Sequence, residues 1–116
     1  MNQTSQIDDV EGQLPDEFRL IRAIIDAVPE PIFCKDRDWR FLLINRASCE
    51  IFEASADAFI GMTVFDIPGL RENAHLYHAD DMRVVNTGKP VVNREEPFDR
   101  PDGKRGCFLT DRKSVV

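Results

Sequence analysis

The stretch CKDRDWRFLLINRAS, residues 34–48, decides how this chain is read. A charged, turn-forming DRD is followed by the apolar run FLLI, which halts at a single asparagine and gives way at once to RASCEIF, a segment with helical spacing. The run before it, PIFCK, is also strand-like, and the short charged turn between the two predicts an antiparallel hairpin. A strand that stops abruptly at a polar residue has a reason. Asn45 supplies one, because a side-chain amide can hold backbone groups as they leave the ladder.

Toward the N-terminus, residues 1–13 are polar and read as a flexible lead. LPDEFRLIRAIIDAV, residues 14–28, then carries Leu14, Phe18, Ile21, Ile25 and Val28 at alternating steps of four and three, one face of an amphipathic helix. Leu20 and Ile24 form a flanking stripe, so the apolar surface is wide enough for two uses: a core helix of its own domain, or a helix shared with a second copy. PEP at 29–31 ends it, since proline lacks the amide hydrogen and pushes its predecessor out of helical geometry.

Toward the C-terminus, RASCEIFEAS has Ile51 and Phe52 on its apolar side, SADAFI is a short helix broken at Gly61, and Thr63 can cap another. HADDMRVVNTGKP reads as a helix stopped by Gly88 and Pro90. VVNREEPF and GCFLTDRKSV are strands around DRPDGKR, where Asp102 and Gly103 suit a hairpin turn. Helix, two strands, several short helices and two strands make an α+β chain, an antiparallel sheet with helices gathered on one face.

Composition bounds the function. The chain has 116 residues, 42% hydrophobic and 31% charged, enough for one globular domain with its own core. A formal charge of -6 has the wrong sign for holding a polyanion, so no direct nucleic-acid contact is expected. No apolar run approaches the ~20 residues that cross a bilayer, and the N-terminus lacks the pattern of a secretory signal, so the expected location is cytoplasmic, off the membrane. Cys34, Cys49 and Cys107 are odd in number and without CxxC spacing, which points to buried, reduced thiols.

Taken in order, DAVPEPIFCKDRDWRFLLINRA, FIGMTVFDI, HADDMRVVNTGKPV and PDGKRGCFLTDRK resemble the PAS sensor domains found in bacterial histidine kinases and diguanylate cyclases. The likeness runs from about Ile25 to Ser114. It rests on the combination of KD near the first strand, Asn45 ending the second, IG-x-T, TG-x-P after a helix and DG in a late hairpin. In that family the asparagine turns the chain up over the sheet, and residues 47–67 and 73–87 would roof a cavity. The resemblance implies that Ile44 and Leu42 point in while Leu43 and Phe41 point to the other face. Phe33 joins them by hairpin pairing, and Ser48, Phe52 and Phe65 come from above. These six side chains either line a pocket for a small organic ligand or seal a filled core. Asn45, Gly61 and Gly103 are the structural turn residues. Leu14, Phe18, Ile21 and Ile25 form the dimer helix.

Two departures from the family stand out. Its first hairpin commonly carries glycine where this chain has Trp39, so the turn is expected to avoid a positive φ, and an exposed indole would mark a contact surface. Its sheet also has a fifth strand at the centre, between the first and fourth, whereas this sequence ends at SVV. The PAS part, residues 29–116, therefore reads as C-terminally truncated. A partner's segment, a shift of residues 106–116, or further protein would take the central place.

Catalytic and cofactor signals are sparse. His75 and His78, with Asp80 and Asp81, form the one cluster that could ligate haem or a metal, and two imidazoles three residues apart can share a helical face. Covalent flavin sensing requires a cysteine within residues 55–62, and SADAFIGM has none. Ser48, the histidines and the aspartates fall on segments the expected fold keeps apart, and no phosphate loop is present. No cofactor is predicted, though haem or a small organic ligand stays open. The expected function is therefore that of a non-enzymatic sensory module in signal transduction. It forms a homodimer and relays packing changes to an output domain in the same parent protein: a two-component histidine kinase, a diguanylate cyclase or a transcriptional regulator. Two alternatives remain: a haem- or metal-dependent sensor or small enzyme using His75 and His78, and a ligand-free dimerisation domain.

Overall fold

Two β-hairpins and a canopy of short helices make up the chain in a computed structural model that describes residues 16–114. In order these are α1 (Asp16–Ala27), β1 (Phe33–Lys35), β2 (Phe41–Ile44), α2 (Arg46–Phe52), α3 (Ala74–Thr87), β3 (Val91–Asp99) and β4 (Arg105–Arg112). Single 3-10 turns at Ala56–Ala58 and Arg71–Asn73 stand between α2 and α3. The α+β class and the antiparallel hairpins are as the sequence predicts. Of the expected dimer-helix residues, Leu14 lies outside the described residues.

The first hairpin departs from simple alternation, and this corrects the expected facing of its side chains. Cys34 opposes Leu43 and Lys35 opposes Phe41, so Leu42 is an extra residue in β2. Such a bulge reverses the inward and outward parity on either side of it. Phe41 and Ile44 therefore both face the core at 2% and 6% exposure, whereas Leu42, expected in the pocket, is 48% exposed. Phe41 is also drawn inward through its backbone: its N–H donates to Met62 O and its carbonyl accepts from Gly61 N–H.

Trp39 is the second correction. Its φ is +66°, the left-handed region the sequence was expected to avoid. Asp36 imposes it: the carboxylate accepts from the N–H groups of Asp38 (2.8 Å) and Arg40 (3.1 Å), while Asp36 O accepts from Trp39 N–H. Three bonds converging on one residue close a turn too tight for a right-handed third position. The indole is half-buried, edge-on to His78 at 5.2 Å, so it is not the exposed surface expected of it.

Thr63 caps no helix. Its N–H and hydroxyl both donate to Asp66 Oδ2 at 3.0 Å and close an isolated turn, which satisfies locally the groups a helix would have used. Gly61 (φ +83°) and Gly103 (φ +84°) take the left-handed positions of their turns, as expected of them. Among the described residues, β1 pairs only with β2 and β3 only with β4, giving two separate two-stranded sheets. The core lies between them and under the canopy: Phe41, Ile44, Phe59, Val64, Ile67, Leu70, Ala74, Tyr77 and Phe98.

Candidate functional site

Asn45 sits at the junction of α1, β1 and α2 and is fully buried at 0% exposure. Its Oδ1 accepts from Ile32 N–H (2.9 Å), Ser48 N–H (3.2 Å) and Ser48 Oγ (3.0 Å). Its Nδ2 donates to the carbonyls of Ile25 (2.8 Å) and Glu30 (2.8 Å), with Val28 O at 3.3 Å sharing a hydrogen. One amide thereby caps the start of α2, holds the entry to β1, and takes up carbonyls that the end of α1 leaves without helical donors. Arg46 N–H adds a bond to Asp26 Oδ1 at 2.9 Å, so the canopy and α1 are tied twice.

The predicted pocket residues scatter. Ser48 is buried, but its hydroxyl already donates to Asn45, so it offers no free donor to a ligand. Phe33 is 36% exposed and packs edge-on to Phe41. Phe52 joins Phe59, Phe98 and Phe108 in an aromatic cluster whose last two rings stack at 4.0 Å. Phe65 is 43% exposed on the far side of the canopy, because its contacts are the rings of His75 and His78. The groove in this half of the molecule, about 390 Å³, runs between Pro31, Ile51, Phe98 and Phe108, with none of the six predicted residues in its wall.

His75 and His78 rest on Phe65 with ring centroids at 5.4 and 5.7 Å, on the outer side of α3. Among the described residues no group of three or more His, Cys, Asp or Glu side chains is arranged to hold a metal ion. Cys34 and Cys49 are half-buried and Cys107 is exposed, so the expectation of buried thiols fails for Cys107. The reason is parity: on β4 the even positions 106, 108, 110 and 112 turn inward and the odd ones outward.

A constellation that sequence reasoning missed lies between the two hairpins. Asp81 on α3 bridges two cations, accepting from Lys35 Nζ at 2.6 Å and from Arg112 Nη1 at 2.8 Å. Arg112 in turn makes a bidentate pair with Glu96, Nε to Oε2 at 3.0 Å and Nη2 to Oε1 at 2.7 Å. Beside it, Asp80 holds Arg94 at 2.9 Å. Burial pushes the Lys35 ammonium below its ordinary pKa, with Asp81 working against that shift. Burial also opposes the Arg112 charge, but Glu96 and Asp81 more than offset it and raise the guanidinium's pKa. Tyr77 closes one side: burial, then the Glu96 charge, push its phenol up to about 12, and its hydroxyl donates to Pro97 O. The alternation of β3 and β4 was a signal for Glu96 and Arg112. Their partner on α3 was not readable, since helix and strand meet only in three dimensions.

The PAS fold family matches residues 25–111, and the chain belongs to it. Among curated proteins it is 39% identical over 94 residues to an "Uncharacterized protein y4lL" of Sinorhizobium fredii, covering 81% of this chain and 11% of that one. Over 54 residues it is 39% identical to the virulence sensor protein BvgS of Bordetella pertussis, covering 47% of this chain and 4% of BvgS. The chain thus spans a small part of the length of the curated relatives it matches. The solved BvgS PAS domain aligns with a TM-score of 0.50 at 25% identity, over 79% of this chain and 64% of that one. VqmA of Vibrio cholerae, in a structure described as bound to DPO, aligns with a TM-score of 0.66 at 26% identity, over 78% of this chain and 45% of that one.

Proposed function

We propose that this chain is the sensory module of a larger signalling protein, in which a small ligand or a partner alters packing beneath the canopy and the change reaches α1 through Asn45. The observation that carries this reading is the six-contact Asn45 junction. A buried amide that serves three elements at once cannot follow a movement of α2 without releasing or pulling the carbonyls at the end of α1. Such a relay works only if the ligand binds the two arrangements with different affinity. The likeness to BvgS, a sensor protein by name, and to VqmA, described as bound to DPO, supports it. The output domain is a histidine kinase, a diguanylate cyclase or a transcriptional regulator, and the module works as a cytoplasmic homodimer joined by α1. Covalent chemistry belongs to the output domain.

Asn45→Asp tests the relay, because the carboxylate keeps every acceptor role and loses every donation to α1. Amide exchange is expected to rise in residues 16–28 and in residues 46–60 together, with residues 91–112 unchanged, and the parent protein's output is expected to become insensitive to its stimulus. Exchange that rises in the canopy alone would end the relay reading. A haem absorption band lost on His78→Ala would replace it with the haem reading.

A further inference from the structure

We propose that Lys35 and Arg112 form a receptor for a small organic carboxylate, and that Asp81 occupies this receptor as an internal ligand that an external carboxylate displaces. One carboxylate is gripped by two cations of different kind, one oxygen to the ammonium at 2.6 Å and the other to the guanidinium at 2.8 Å. The O–C–O unit sets one oxygen on each cation. The cations are walled by aromatic rings. Lys35 Nζ lies 5.6 and 5.3 Å from the centroids of Phe33 and Phe41, and Arg112 Cζ lies 5.6 and 5.9 Å from those of Phe33 and Tyr77.

Three features separate a receptor from a structural ion pair. Arg112 is oriented by Glu96 through two other nitrogens, so releasing Asp81 leaves the guanidinium in place with Nη1 free. An external carboxylate at both cations leaves neither Lys35 nor Arg112 unpaired; the displaced Asp81 turns out to water, so the exchange moves one carboxylate instead of stranding two buried cations. Phe33, 36% exposed, places an apolar ring beside both cations, against which the body of an organic acid can lie. Asp81 belongs to α3, so its displacement removes that helix's ion pairs to Lys35 on β1 and Arg112 on β4, while Asp80–Arg94 and Tyr77–Pro97 still hold it to β3. The signalling consequence rests on the relay proposed above, whereas the receptor itself does not.

The test uses the full chain with Asp81→Asn, which removes the internal competitor while keeping its shape. Calorimetric titration with benzoate is expected to show binding at least tenfold tighter than in the unsubstituted chain. Neutral benzamide should bind neither protein, and adding Lys35→Met or Arg112→Met should abolish benzoate binding. Should Asp81→Asn fold poorly, benzoate should restore its folded spectrum where chloride at equal ionic strength does not. No benzoate binding, no rescue, or equal binding of benzamide would overturn the receptor. Benzoate that binds without changing amide exchange in residues 16–28 keeps the receptor and removes the relay. Loss of binding beside intact Asn45 coupling does the reverse.

Discussion

At the scale of single residues, the chain is governed by polar side chains that take up backbone groups at places where the ladder ends. Asn45 was legible because a short amide at the end of an apolar run has few other uses, though its donation to α1 was not, since Ile25 lies twenty residues away. Trp39 was misread because residue type argues against a left-handed turn, while the deciding force is Asp36, three positions earlier. Thr63 and Asp66 make a testable case. Two donations from Thr63, the backbone N–H first and the hydroxyl second, hold the Asp66 carboxyl below its ordinary pKa. A depressed carboxylate favours the fold at pH above its unfolded value, and that contribution is lost as pH falls through the lower, folded value. Thr63→Val removes only the hydroxyl, so an NMR titration should show the Asp66 midpoint moving up part of the way toward the ordinary range. An unmoved midpoint would mean the hydroxyl contributes nothing.

At the scale of elements, close packing of aromatic rings on small residues sets the geometry of the second hairpin. Phe98 and Gly106 oppose each other across β3 and β4, and the far end of the Phe98 ring reaches over the glycine. A Cβ added at Gly106 would stand 2.3 Å from a Phe98 ring carbon. The ring cannot swing away, because it is buried and stacked at 4.0 Å on Phe108. Gly106→Ala is therefore expected to cost about 1 to 3 kcal/mol, read as a lower denaturant midpoint with unchanged slope. A cost near zero would mean the stack is loose. The strands themselves were readable from alternation and from the DG turn. The bulge at Leu42 was not, because an extra residue changes no composition and only shifts parity.

At the scale of the whole molecule, the two sheets are held together by side chains rather than by a shared ladder. The Cα radius of gyration is 15.2 Å, above the roughly 13 Å of a compact domain of this length. α1 has no fully buried residue and presents Leu20, Ile21 and Ile24 at 62%, 45% and 57% exposure. An apolar helix face of this kind is covered in the homodimer we propose. Phe18→Glu with Ile21→Glu is expected to halve the mass seen in sedimentation equilibrium while the far-UV spectrum is retained. A mass unaltered by the two charges would exclude α1 from the contact. Among the described residues, the charge chain from Lys35 through Asp81 to Arg112 links β1, α3 and β4, which share no ladder, and Glu96 on β3, the ladder partner of β4, anchors its far end.

Taken alone, the sequence determined the class of fold, the order of elements, the family and the turn made by Asn45, because period, proline and glycine placement and side-chain capping act over a few residues. Tertiary structure alone decided that Phe41 rather than Leu42 enters the core, that Ser48 is spent on Asn45, and that Asp81 lies between Lys35 and Arg112. Those outcomes depend on strand register and on which elements meet across the core, and electrostatic attraction between groups 31 and 46 positions apart leaves no periodic trace in the chain.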